Sequence, residues 1–333
     1  MTGDKLSRSS PTGKRIVLPE KVPLALASPK TAQKTAQVMA NAKAVAGLLM
    51  PAFVENAVIK FKPLPPAPLG RMGPLEVRLA HKKGDVRRAQ KLRYKVFYKD
   101  GSAIADAATM LARRDKDVYD KFCDHLLVID HAAKPSLSGK QPVVGTYRLL
   151  RQDVAERHGG FYTDHEFAIS DLVDRHRDLK FLELGRSCVL PPYRNKRTVE
   201  LLWHGIWTYV RKHRCDVMLG CASFEGTNPD QLALPLSFLH HFARAPEEWR
   251  AAAHPSRFVD MNRMAKDAIN PKAALHELPP LIKGYLRLGG FVGDGAVIDH
   301  QFGTTDVLVV LPVSAINTRY IDHFGVDASR HAA

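Results

Sequence analysis

The sequence predicts a mixed α/β domain in which strands outnumber the helices that could connect them. Several apolar runs have the length of a strand, as in Leu75–Leu79, Val143–Leu150 and Phe181–Leu190. Apolar residues at helical spacing are clear in fewer places, above all after Thr198. A regular βαβ array needs a helix between successive parallel strands, so this pattern does not predict one.

Composition allows one large soluble domain and indicates an acidic partner. The chain has 333 residues, of which 45% are hydrophobic and 25% charged, and a formal net charge of +15. Such a charge suits nucleic acid, an anionic membrane or an acidic protein. The four cysteines form no CxxC pair, no apolar run reaches about 18 residues, and the N-terminus lacks the apolar segment of a signal peptide. We therefore expect a cytoplasmic protein.

Residues 1–72 are predicted to form a basic, largely disordered arm. Residues 1–70 contain ten Lys or Arg against three Asp or Glu, and Ser, Pro, Gly and Lys alternate without a period near the start. Residues 36–50 could form a short amphipathic helix that contacts an anionic membrane, at the inner face of the cytoplasmic membrane. The Pro-rich residues 63–68 predict an extended linker. The folded domain is therefore expected over 73–325.

Within this domain the elements are expected in the following order. Leu75–Leu79 is the first strand, and Asp85 is expected to cap a helix that continues to about Tyr98. Residues 100–116 are expected to be mobile, and residues 151–180 irregular except for a short helix. The other predicted strands are His125–Asp130, Val143–Leu150, Phe181–Leu190, Val217–Cys221 and Asp306–Leu311. The other predicted helices begin near Thr198, Gln231 and Leu278.

Two charges inside the apolar strand Phe181–Leu190 are the candidate catalytic residues. Charges in a core strand cost several kcal/mol unless they are paired or used. Glu183 and Arg186 are three residues apart, so a regular strand would point them to opposite faces. A bulge at Gly185 would turn both into one cavity, where a desolvated carboxylate suits a general base. The alternative is a structural ion pair.

A basic loop follows this strand and predicts an anion site. Arg194, Lys196 and Arg197 precede the helix near Thr198, and the positive end of a helix dipole favours an anion. The loop lacks the glycine spacing of a P-loop or dinucleotide motif, and a solvated loop would show the same charges.

Four further charges suit a small zwitterion. A guanidinium binds a carboxylate through two hydrogen bonds, and a carboxylate binds an ammonium. Taken singly, each of these residues could be an ordinary surface charge. The four candidate substrate-binding residues are Arg93, Asp117, Asp120 and Arg148.

The sequence also argues against two classes of ligand. The histidines show no metal-ligand spacing, so no metal site is predicted. The positive charge would permit nucleic acid, but no aromatic recognition motif accompanies it. An acidic carrier protein or an anionic membrane is therefore the expected partner.

The order of these motifs resembles the GNAT superfamily, near the acyl-homoserine-lactone synthases. It is most similar to the bacterial L-ornithine N-alpha-acyltransferases of ornithine-lipid synthesis, also described as hemolysin-like GNAT proteins. The resemblance covers roughly residues 73–315 and implies a mixed, mostly antiparallel central sheet flanked by helices. The motifs that carry it are Arg93-x-x-x-Phe97, Asp117-x-x-Asp120, Thr146-Tyr-Arg-Leu149, Glu183-Leu-Gly-Arg-Ser187, Leu281-Ile-Lys-Gly-Tyr-Leu-Arg-Leu-Gly289 and Asp306-Val-Leu-Val-Val310.

The resemblance implies transfer of a 3-hydroxyacyl group from acyl carrier protein to the α-amine of L-ornithine, giving lyso-ornithine lipid. No bound cofactor is expected; the co-substrate would be the acyl-phosphopantetheine of the carrier. Arg194-Asn-Lys-Arg197 stands where acetyl-CoA-dependent GNAT enzymes have a glycine-containing pyrophosphate loop, which favours a carrier-borne donor over CoA.

Two alternatives stay open from the sequence. One is an acyl-homoserine-lactone-type synthase that uses S-adenosylmethionine, and the other is a non-catalytic basic adaptor that binds membranes or carrier protein. The acyl chain of a lipid donor needs an apolar trough, for which Phe224, Leu236 and Leu239 are expected to supply side chains.

Overall fold

A computed structural model describes residues 67–316, which form one eight-stranded sheet with helices packed on it. The strands run in the spatial order β1-β2-β3-β4-β5-β6-β8-β7. All neighbours are antiparallel except β5 and β6, which are parallel. The strands are β1 Gly70–Met72, β2 Leu75–Leu79, β3 Asp124–Asp130, β4 Val143–Arg151, β5 Phe181–Val189, β6 Val217–Glu225, β7 Phe291–Asp299 and β8 Thr304–Pro312.

Apolar residues cover both faces of the sheet because side chains alternate along each strand. On β3, Leu126 and Val128 belong to a core cluster with the long helix α5, whereas Leu127 and Ile129 pack with α1. The helices are α1 Lys83–Tyr94, α2 Ala107–Ala112, α3 Gln152–Ala155, α4 Ile169–Arg175, α5 Lys196–His213, α6 Ala233–Phe242, α7 Pro271–Glu277 and α8 Pro280–Arg287. A π-helical turn, Lys95–Lys99, continues α1.

The predicted strands are all present, but the ends of the sheet and some helices differ from expectation. Strands β1 and β7 were not predicted, and β1 lies just before residue 73, where the domain was expected to begin. Helix α1 begins at Lys83, so Asp85 lies buried in its first turn and pairs with Arg78 and Arg88 instead of capping the helix.

Two further segments correct the sequence prediction. The supposedly mobile residues 100–116 contain α2, whose first turn is capped by the Asp106 carboxylate. The helix expected from Leu278 is present as α8, but α7, which precedes it, was not predicted; Pro279 and Pro280 separate the two, because they cannot continue α7 and instead open α8.

The predicted arm over residues 1–72 and its amphipathic helix over 36–50 lie almost wholly outside the described residues, as does the predicted end at 325. Among the described residues, no helix is both long enough and apolar enough to cross a membrane.

Candidate active site

The only parallel strand pair in the described sheet opens into a cleft. Strands β5 and β6 pair from Phe181–Glu183 to Val217–Leu219 and then diverge. The close approach at the root of the cleft requires a glycine: a Cβ at Gly220 would lie 2.3 Å from the carbonyl oxygen of Leu184. Beyond this point, no strand of the described residues pairs with the β6-facing edge of β5.

A cavity of about 440 Å³ occupies this cleft. Its walls include β5 residues 183–187 and β6 residues 221–223, together with the π-helical turn after α1. Single-turn π-helices occur often at functional sites. Charged groups of both signs line the cavity: Asp100, Arg148, Glu183, Arg186, Arg194, Glu225, Asp299 and Asp306.

A bulge in β5 brings the two predicted catalytic residues to the same cavity. The register with β4 shifts between Thr146 and Arg148, which pair with Cys188 and Gly185. Arg186 itself adopts the left-handed conformation, with φ of 50°. The predicted bulge is therefore present, centred on Arg186 and not on Gly185, and such a conformation costs a non-glycine residue about 1–3 kcal/mol.

The Glu183 carboxylate is buried and held by three hydrogen bonds. The backbone N–H groups of Tyr162 and Thr163 donate to its two oxygens over 3.0 and 2.7 Å, and the Thr163 hydroxyl also donates to it. These donors fix the orientation of the carboxylate. A carboxylate offers about four acceptor sites, so one further donor can still be accepted.

The other predicted charges form an ion-pair network beside Glu183. Asp120 accepts hydrogen bonds from Arg93, and Asp117 accepts one from Arg148. Burial opposes ionisation of Asp120, but Arg93 and then Arg148 outweigh it and lower the pKa of Asp120 to about 2. The network consists of Arg93, Arg148, Arg186, Asp115, Asp117 and Asp120.

This network separates the predicted substrate-binding residues into two groups. Arg148 lines the cavity, with Asp117 directly against it. Arg93 and Asp120 are both buried, pair with one another and do not line the cavity. Their place behind the wall suits positioning of Arg148 better than contact with a substrate.

Aromatic rings hold the two cavity arginines in place. The guanidinium of Arg148 lies over the rings of Tyr119 and Tyr162 at 5.4 and 5.3 Å, and that of Arg186 over Tyr162 and Phe302 at 4.7 Å each. Cation–π contacts stabilise an arginine while leaving its in-plane donors for a ligand. The sequence reading missed these rings because they come from loops with no local pattern.

The predicted basic loop includes the first turn of α5, which Lys196 and Arg197 form, and it reaches the cavity through Arg194. Arg194, Lys196 and Arg197 are all exposed, and Arg194 also lines the cavity. Helix α5 begins at Lys196 and is capped by the Asn195 side chain, which accepts from the N–H of Thr198. An acidic partner could therefore reach the loop and the cavity together.

The sequence reading also missed an acidic wall. Polar atoms of Glu166, Cys221 and Asp306 lie within 4.8 Å of one another. Burial raises the pKa of Glu166, and burial followed by repulsion from Glu166 raises that of Asp306 to about 7. The sole sequence signal was the charge of Asp306 at the start of an apolar strand.

The predicted apolar trough is wrong. Phe224, Leu236 and Leu239 are buried in the main core and do not line the cavity. The alternation of β6 points Phe224 into the core, while its neighbours Ser223 and Glu225 line the cavity. The apolar lining is instead Val96, Phe97, Leu184, Leu281 and Phe302.

Comparison with known proteins identifies relatives of this chain. The acetyltransferase (GNAT) domain family matches residues 92–204. An L-ornithine N(alpha)-acyltransferase of Rhizobium meliloti (strain 1021) is 52% identical over 84% of this chain and 94% of its own length. One from Agrobacterium fabrum (strain C58) is 52% identical over 78% of this chain and 88% of its own length. The solved structure of FeeM, an N-acyl amino acid synthase from uncultured soil microbes, aligns with 72% of this chain and 91% of its own at 11% identity and a TM-score of 0.41.

The fold is therefore a GNAT fold, with the parallel pair and its cleft at the centre of a mostly antiparallel sheet. Identity above 50% over nearly the full length of the curated relatives leaves no doubt about the family. The chain belongs to the L-ornithine N(alpha)-acyltransferase family of enzymes.

Proposed function

We propose that this enzyme transfers a 3-hydroxyacyl group from acyl carrier protein to the α-amine of L-ornithine, forming lyso-ornithine lipid. Family membership supports the acceptor and the reaction class. The observation that carries the proposal is the meeting of Glu183, Arg148 and Arg186 in one cavity at the root of the β5–β6 cleft.

The donor thioester would lie along the diverging edge of β5. Within residues 67–316, residues 184–187 have no partner strand on the β6 side, so their backbone groups can hydrogen-bond the extended phosphopantetheine arm. The apolar lining near Phe97 and Leu281 would contact the start of the acyl chain.

The acceptor would bind against the opposite charges of the cavity. Arg148 and Arg186 would hold the ornithine carboxylate, with Asp117 keeping the two guanidinium groups in place. Glu183 would take a proton from the α-ammonium, directly or through a water. The free amine then attacks the thioester carbonyl, the C–N bond forms, and the C–S bond breaks to release the carrier thiol without an acyl-enzyme.

The exposed loop residues Arg194, Lys196 and Arg197 would dock the acidic carrier and contact the donor phosphate. No bound cofactor is needed for this chemistry, because the phosphopantetheine arrives on the carrier. We place the reaction in the cytoplasm, with peripheral contact at the inner face of the membrane that receives the product.

Purified protein with 3-hydroxyacyl carrier protein and L-ornithine tests the proposal by release of carrier thiol and by mass spectrometry of the product. Glu183→Gln should lower kcat by about 10²–10⁴-fold, the usual contribution of a general base. Glu277→Gln, the same change on an exposed turn of α7, should behave as wild type.

Three outcomes would contradict the proposal. Wild-type turnover by a folded Glu183→Gln variant would remove the general base. Preference for S-adenosylmethionine over ornithine as acceptor would indicate an acyl-homoserine-lactone-type synthase. Absence of thiol release with every acceptor would favour a non-catalytic adaptor.

A further inference from the structure

The cavity has an acidic wall that the proposed attack on the thioester does not use. Asp306 and Asp299 line it from β8 and β7, and Glu166 lies directly behind. None of the described arginines or lysines forms an ion pair with Asp306. Only Glu166 in this group has a cationic neighbour, Arg257, at 3.4 Å. The wall therefore keeps an excess of negative charge, centred on the buried Asp306.

Asp306 lines the cavity, and one of its two carboxylate oxygens has no hydrogen-bond partner in the described part of the chain, although the side chains of Ser223 and Thr304 lie close to the carboxylate. Its residue is 7% exposed, and its Oδ1 has no hydrogen-bond partner among the described residues. An unpaired carboxylate oxygen in such a place costs several kcal/mol. Burial and the repulsion of Glu166 raise the pKa of Asp306 to about 7. The raised pKa reflects the same unfavourable free energy of a buried, unpaired carboxylate. A cationic ligand would remove that cost.

The acidic wall is close to the proposed general base. Thr163 Oγ1 donates to Glu183 and lies 3.8 Å from the sulfur of Cys221, which in turn lies within 4.8 Å of a carboxylate oxygen of Asp306. Two small side chains therefore separate the base from Asp306. One short molecule in the cavity can contact both.

We propose that Asp306, with Asp299 and Glu166 nearby, binds the side-chain ammonium of the diamino-acid acceptor and thereby selects ornithine over monoamino acids. This rests on the proposed function, in which Glu183 receives the α-ammonium and Arg148 with Arg186 the carboxylate. The acceptor would then be held at three points of matching charge.

An ammonium fits the acidic wall better than a metal ion does. The Cys221 thiol donates to Glu166 over 3.2 Å, and burial raises its pKa well above the usual range, so the sulfur stays protonated. Metal ligation requires the thiolate. An ammonium instead supplies three N–H donors, which suit the free Oδ1 of Asp306 and the neighbouring acceptors.

The test compares two acceptors in two proteins. Norvaline has the carbon chain of ornithine without the side-chain amine. It can therefore occupy the subsites for the carboxylate and the α-amine, and it serves either as an alternative acceptor or as a competitive inhibitor. In wild type, kcat/KM for ornithine should exceed kcat/KM for norvaline by about tenfold to a hundredfold, the factor expected for hydrogen bonds to a charged group. In Asp306→Asn the ornithine KM should rise by that factor, while the norvaline KM or Ki stays unchanged. Asp267→Asn, on an exposed turn, is the matched control.

Each other outcome has a distinct meaning. Equal losses for ornithine and norvaline in Asp306→Asn would overturn the inference and leave a structural role. An unchanged ornithine KM in Asp306→Asn would also overturn the inference. So would an activity that a chelator abolishes and a divalent metal restores, because the acidic wall would then bind a metal ion. If wild type does not acylate ornithine, the proposed function fails. The inference then survives only if another diamino acid shows the same Asp306-dependent preference over its monoamino analogue.

Discussion

Two buried charge clusters flank the same cavity, and they are built in opposite ways. The network on one side balances three arginines against three aspartates, including Arg93 with Asp120. The acidic wall on the other side brings Glu166 and Asp306 together with a thiol and a single arginine, Arg257, which pairs with Glu166. Balanced buried charges hold a structure together, whereas unbalanced ones cost stability and suit a ligand that completes them. Removing one charge should therefore have opposite effects on the two sides.

The largest effect is expected in the balanced network. Arg93→Ala leaves Asp115 and Asp120 buried without their main partner, and breaking a buried pair costs about 3–5 kcal/mol. The free energy of unfolding in urea at pH 7 measures this loss. Arg87→Ala on the exposed face of the same helix should change it by less than about 0.5 kcal/mol. Equal stability of the two variants would refute the assignment of Arg93 to the structural network.

The opposite sign is expected in the acidic wall. Asp306 has a pKa of about 7 in the folded protein against an ordinary 3.8, so the folded chain binds more protons between these values. The free energy of unfolding therefore falls as pH rises through that window. Asp306→Asn removes this cost and should gain about 2–4 kcal/mol at pH 8, at about 1.4 kcal/mol per pKa unit, and almost nothing at pH 4.

Unfolding midpoints of wild type and Asp306→Asn across this pH range provide the measurement. The titratable groups near Asp306 are Glu166, Cys221 and Asp299, and Arg257 pairs with Glu166; Ser223 and Thr304 also lie close to the carboxylate. A constant difference between the two proteins from pH 4 to pH 8 would show that the carboxylate does not titrate in this window.

A smaller effect should follow from removing one of the hydrogen bonds that hold Glu183. Thr163→Val keeps the side-chain shape and the backbone N–H but deletes the hydroxyl that donates to Glu183. One lost hydrogen bond of about 1 kcal/mol should lower kcat about fivefold with little change in the ornithine KM. Thr163→Ser should restore kcat. A rise in KM alone, or no rescue by serine, would argue against a positioning role.

The smallest effect per residue should come from the exposed basic loop. Exposed charges contribute about 0.2–1 kcal/mol each, so Arg194→Ala with Arg197→Ala should raise the KM for acyl carrier protein a few-fold and weaken its salt dependence. The ornithine KM should not change. Arg211→Ala with Lys212→Ala, at the other end of α5, is the matched control. An unchanged salt dependence would remove the loop from carrier docking.

Much of the fold and part of the site could be predicted from local sequence. The strands that flank the site follow their apolar runs, and the motif order of Arg148, Glu183 and Arg186 identified residues that the fold does bring to one cavity. The bulge in β5 was also expected. Two charged residues that are three apart on a regular strand point to opposite faces, so they can reach the same cavity only if a bulge lies between them.

The sequence by itself determined the fold class and the charges at the root of the cleft, because alternation and burial act on neighbouring residues. Only the tertiary structure decided which charges neutralise one another. It placed Arg93 and Asp120 behind the wall, and it brought Asp306 to Glu166 across long stretches of chain. Such pairings depend on distances in space, which no local sequence pattern encodes. They decide which charged residues stabilise the site by pairing with one another and which remain unpaired and can bind a ligand.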